Sequence, residues 1–139
     1  MRDHTALLIE EAVRRYDCDG LELDFNRFPE FFKDGTTEQR VAKMSSLVER
    51  VRQMLGEVGR ERGRRLVLGV RVPSNYGATP PTPETARQLG CDVPAWVRRG
   101  WVDYGWKTTT TARNCRTQGV LRRGRCRLAT MKAWAKLKL

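Results

Sequence analysis

The chain has little of what several common chemistries need. Its only histidine is His4, the fourth residue of the sequence, so a Ser-His or Cys-His nucleophile has no base elsewhere. Neither a GxxxxGK[ST] loop nor a GxGxxG fingerprint occurs, which removes the usual phosphate-cradling signatures. No CxxC pair occurs either. Cys18, Cys91, Cys115 and Cys126 stand far apart, a spacing that fits neither a zinc finger nor a tight disulfide scaffold. They read as unpaired thiols of a reducing compartment. No apolar run approaches the roughly 18 residues of a membrane span. The start, Met1-Arg2-Asp3-His4-Thr5, has no basic segment leading into an apolar one, so the expectation is a cytoplasmic chain without a cleaved signal peptide. No cofactor and no metal are expected.

What is present suits one globular domain: 139 residues, 40% hydrophobic and 31% charged. The net charge of +11 is localised. Residues 1–106 carry 17 Lys and Arg against all 16 Asp and Glu, while 107–139 carry 10 basic residues and no acid. A near-neutral segment, 1–106, is thus followed by a strongly basic tail, 107–139.

Along the first segment, Asp3 to Tyr16 reads as a helix, with Leu8, Ala12, Val13 and Tyr16 on one face. Gly20 to Phe25 alternates with period two and reads as a strand. Asn26 to Gly35 holds proline, glycine and three phenylalanines, and reads as a loop with an exposed apolar cluster. Thr36 and Gln39 then form a capping box. Val41, Met44, Leu47, Val48, Val51, Met54, Leu55 and Val58 continue as one helical stripe, with Gly63 as its stop. Arg65 to Val72 is nearly continuous in apolar residues, as in a strand buried on both faces. Two short helices, opening at Pro83 and at Asp92-Val93-Pro94, precede a third strand at Trp101 to Trp106.

Strands separated by helix-length connections imply βαβ units and a parallel sheet. The expected fold class is α/β: a partial (β/α)8 (TIM) barrel fragment of about three βα units, ending in a basic, irregular tail. Open sheet edges in such a piece invite self-association.

The tail changes character abruptly after Trp106, where a buried strand should continue. Its arginine- and threonine-rich run has no sustained apolar period. That discontinuity favours a translation that has left its parent reading frame. The competing reading is a basic arm for nonspecific nucleic-acid binding, with Trp134 available to stack on bases, or for another anionic partner such as a membrane surface.

Chemistry in α/β folds sits beyond the carboxyl ends of parallel strands. There, Glu22, Asp24 and Asn26 share one face of the first strand. Two carboxylates about 6.6 Å apart along the strand suit general acid work, or attraction of a divalent cation. Alternatively, Arg27 or Arg71 neutralises them and fixes the interior. Asp103 is the one further carboxylate on the third strand.

The stretch Tyr16-Asp17-Cys18-Asp19-Gly20-Leu21-Glu22-Leu23-Asp24-Phe25-Asn26-Arg27 resembles the fourth-strand region of glycosyl-hydrolase-like TIM barrels. It is closest to the uncharacterised family-10-like glycosyl hydrolases of environmental bacteria. Leu66 to Pro73 and Leu89 to Trp96 are similar to the same group, so the resemblance covers about residues 5–106. The first strand is also similar to the DGxDxDxE strand of chitinase-type barrels. It departs from that pattern with Glu22 for an aspartate and Asn26 for the catalytic glutamate, and an amide cannot protonate a glycosidic oxygen. The resemblance implies a carbohydrate-active parent barrel with Asp24 as the acid/base or charge-stabilising carboxylate and Glu22 behind it. Asn26, Arg27, Arg71, Asn75 and Tyr76 would bind substrate, and Phe28, Phe31 and Phe32 would stack on sugar rings or pack within their loop. Glycoside hydrolysis needs two carboxyls flanking the bond, so this chain alone is expected to be inactive.

Overall fold

The computed structural model describes residues 2–25, 31–73, 83–108 and 135–138. Their order is α1 (Arg2–Arg15), β1 (Gly20–Asp24), α2 (Thr37–Glu61), β2 (Val67–Pro73), α3 (Pro83–Gln88), α4 (Val93–Arg98), β3 (Tyr104–Thr108) and β4 (Ala135–Lys138). The class is α/β. All strand pairings are parallel, in the spatial order β3-β2-β1-β4.

The long helix α2 forms for the reasons its sequence supplies. The Thr36 hydroxyl accepts the Gln39 N–H at 3.3 Å, and the Gln39 side chain accepts the Thr36 N–H at 3.1 Å. Two amides left over at the first turn are thereby satisfied. Met44, Leu47, Val48, Val51, Met54, Leu55 and Val58 are all buried, and Val41 is half-buried. At the other end Gly63 takes φ 65°, a left-handed turn that glycine adopts without a Cβ clash.

Beneath this stripe lies one face of the sheet. Leu21, Leu23 and Phe25 meet Leu68, Val70 and Val72 in a single core with Ile9 and Val13 of α1, Ala86 of α3, and Val93 and Trp96 of α4. The helices therefore cover one face, among the described residues. Trp96 is fully buried, and its indole N–H donates to Ser45 Oγ at 2.8 Å, so burial leaves no unpaired donor. Arg62 ties the helices together by donating to Val13 O at 2.7 Å, and Arg14 pairs with Glu61 at 2.9 Å.

Four expectations change. Of the expected face of α1, Val13 is buried and Ala12 half-buried while Leu8 and Tyr16 are exposed, and the core face is Ala6, Ile9 and Val13. Both sets fit a helical period, and contact with α2 selects the second. β2 turns Leu68, Val70 and Val72 to the helices and Val67, Gly69 and Arg71 to the other face, so that second face is not continuously apolar but carries the charged Arg71. Phe31 and Phe32 are half-buried rather than exposed. Phe31 stands edge-on to Phe25 with centroids 5.5 Å apart, and Phe32 lies beneath the Lys43 ammonium. Finally, β3 runs on to Thr108, and Ala135–Lys138, within the tail expected to be irregular, pairs as a strand with β1.

Candidate functional site

The sheet face turned away from the helices carries the polar residues. The pleat sends Glu22 and Asp24 there together, and register aligns them across the strands. Glu22 lies opposite Gly69 and then Tyr104, and Asp24 lies opposite Arg71 and then Trp106. On the other flank β4 places Lys136 in register with Glu22 and Lys138 with Asp24.

Arg71 organises this face. Its Nη2 is 3.0 Å from Glu22 Oε1, and its Nη1 is 3.6 Å from Asp24 Oδ2. Both carboxylates are buried, at 8% exposure. A carboxylate at that depth needs a cation or several hydrogen bonds, and one guanidinium serves both. The Arg71 Nε is itself buried without a hydrogen-bond partner among the described residues. It is a donor that neither carboxylate engages, and the kind of group a bound acceptor satisfies.

Tyr104 completes the arrangement. Its ring lies across Gly69 so closely that a Cβ at that position would overlap the phenol. Gly69, opposite Glu22 in register, is thus the residue that makes room for the Tyr104 ring. Neither residue stands out in the sequence, where the visible signals are the alternation of β1 and its strand-end acid. Counting β3 into register with β2 would have found both.

Asp103 belongs elsewhere. It precedes β3 and sits at the amino-terminal end of β2, opposite to the end that bears Asp24. Its Oδ2 accepts the Leu68 N–H at 2.9 Å and a 3.3 Å bond from Arg52, and its Oδ1 takes Arg65. Burial pulls the Arg52 guanidinium below its ordinary value, Asp103 opposes that, and Arg65 adds to it. Asp103 is therefore a clasp between β2 and β3, not a second catalytic carboxylate for Asp24. Asn26, Arg27, Phe28, Asn75 and Tyr76 lie outside the described residues.

The loop after β1 also bounds a cavity of about 630 Å³ lined by Phe31, Phe32, Lys33, Arg40 and Leu89. Arg40 donates to Gln88 O at 3.4 Å, and its Nε is buried without a partner among the described residues. Those residues contain no group of three or more metal-ligating His, Cys, Asp or Glu side chains. Within the polar face, a guanidinium already bridges the two carboxylates a cation would need. None of the described helices is long and apolar enough to cross a membrane.

Compared with known proteins, the chain matches no family model and no curated sequence.

Proposed function

We propose that this chain is part of a carbohydrate-active (β/α)8-type barrel, and that its polar sheet face, from the row of Glu22, Gly69 and Tyr104 to Asp24 at the carboxyl end of β1, binds sugar hydroxyls. The observation that carries the reading is the buried Glu22–Arg71–Asp24 cluster beside Tyr104, on the face opposite the helices. Doubly wound sheets place helices on both faces, whereas barrel strands keep them on one and turn the other inward. The run β3-β2-β1 follows chain order, as barrel strands do, with β4 added at the other edge of β1. Carboxylates, a guanidinium with one unspent donor and a phenol ring together suit a neutral polyol, which offers both donors and acceptors.

In this reading the chain binds and does not hydrolyse. Arg71 holds both carboxylates as acceptors, and Asp103, at the opposite end of the strands, cannot flank the same glycosidic bond. Titration of the full chain with xylo-, cello- and chito-oligosaccharides, followed by NMR, tests it. Saturable shifts at Glu22, Asp24, Gly69 and Tyr104 with no reducing sugar released are expected, and Gly69→Val, which displaces the Tyr104 ring, should abolish them. A folded chain that leaves those signals unmoved at millimolar sugar refutes the reading.

A further inference from the structure

A second cavity, of about 420 Å³, opens where α2 ends and β2 begins, lined by Arg52, Gly56, Arg60, Gly63, Arg64 and Arg65 above the buried side chains of Leu55 and Leu66. No acidic residue lines it. The carboxylates nearby do not match the arginines evenly. Arg64 pairs with Asp17 and Asp19, but Arg52 and Arg65 share Asp103. Arg60 has no carboxylate partner among the described residues, only a 3.4 Å bond from its Nε to Gly56 O. Arg60 and Arg65 are exposed and keep most of their donors free for an incoming acceptor.

The end of a helix ordinarily repels anions through its unsatisfied carbonyls. Here three of those carbonyls are occupied. Val58 O accepts from Arg62 N at 3.0 Å, Gly59 O from Arg64 N at 2.9 Å, and Arg60 O from Gly63 N at 3.2 Å.

Gly56 supplies an independent observation. Glycine inside a helix is costly relative to alanine, and a neighbour too close for a Cβ usually explains it. At Gly56 a Cβ would meet no atom within 4 Å. Packing does not require this glycine, yet it lines the cavity and leaves it open.

We propose that this cavity binds a phosphoryl group, held by the guanidinium groups of Arg60 and Arg65 over the bare backbone of Gly56 and Gly63. Arginine forks match phosphate oxygens two at a time. The site lies at the amino-terminal end of β2, so it is separate from the polar sheet face, and its success or failure says nothing about sugar binding there.

The test uses the full chain, titrated at constant ionic strength with inorganic phosphate and, separately, glycerol 3-phosphate, against chloride. The backbone amides of Gly56, Gly59 and Gly63 are followed by NMR. Saturable shifts at these glycines are expected with phosphate and not with chloride. Tighter binding of the ester identifies a phosphorylated metabolite as the ligand class, and equal binding identifies free phosphate. Arg60→Gln should weaken binding about tenfold. Gly56→Leu should raise the melting temperature while also weakening binding, a combination that loss of fold cannot produce. Shifts that follow ionic strength alone, that are confined to residues 107–139, or that survive both substitutions overturn the proposal.

Discussion

Removing Arg71 is the most informative perturbation of the polar face. Its guanidinium sits 3.0 Å from one carboxylate and 3.6 Å from the other, and each carboxylate is 8% exposed. At an effective permittivity of about 20, each attraction has a gross strength of about 5 kcal/mol. The cost of taking three charges out of water offsets most of that. Deleting one partner is a different matter, because the remaining charges keep their burial and lose their compensation. For fully buried pairs such deletions cost about 3–5 kcal/mol. The Arg71 side chain retains 29% of its exposure, so water reaches part of the gap, and about 2–3 kcal/mol is the expected loss for Arg71→Met. Urea unfolding of the full chain, followed through the buried Trp96, measures it. The sharper readout is a change of sign. Asp24→Asn should destabilise the natural chain, because Arg71 loses a partner, yet stabilise the Arg71→Met chain, because one of two facing like charges is removed. If Arg71→Met costs less than about 0.5 kcal/mol, or Asp24→Asn has the same effect in both backgrounds, the cluster is not held by charge and the reasoning fails.

Two further predictions concern stability elsewhere. Asp103→Asn keeps the side-chain shape but removes the counter-charge of Arg52, only 14% exposed, and of Arg65; it should cost about 2 kcal/mol in urea unfolding. Asp17→Asn, at an 81% exposed position, should cost about 0.5 kcal/mol or less, and equal effects would refute the clasp. Burial pushes the Cys91 thiol up from 9.0 to about 12. Between those values the unfolded chain has lost the thiol proton and the folded chain keeps it, so stability is full below pH 9 and falls above it by about 1.4 kcal/mol per pH unit. Cys91→Ala should lack that component, and parallel pH profiles for the two chains would exclude it.

Much of the architecture is written locally. The Thr36–Gln39 box and the Met44-to-Val58 stripe specify α2 within a few turns, and the Glu22/Asp24 alternation specifies both a strand and its polar face. Arg71 as the neutralising partner of Asp24 was open among alternatives in the sequence, and parallel pairing of β1 with β2 in this register decides it. What could not be read depends on partners distant along the chain. Ile9 and Leu8 are equally good helical core candidates until α2 is placed. Gly69 and Tyr104 are unremarkable until β3 lies beside β2. Asp103 reads as a strand residue, and only the geometry of Leu68, Arg52 and Arg65 makes it a clasp. The basic run after Trp106 obscured Ala135–Lys138, whose alternation is too short to stand out from its surroundings.

The wholly parallel pairing has a consequence for how the chain is made. No strand can join its neighbour through a hairpin, so each pairing waits for a crossover to be synthesised. β1 gains β2 once α2 is complete, but its other edge stays open until Ala135 arrives opposite Leu21. Closing that longer loop costs only about 0.8 kcal/mol more than closing the first. The time involved is larger: at ordinary synthesis rates it is roughly ten seconds. Throughout that interval β1 presents unpaired backbone groups that another strand can template on. The buried acids Glu22 and Asp24 then act as gatekeepers, because a copy of β1 added in register would bring four carboxylates together with no new arginine between them.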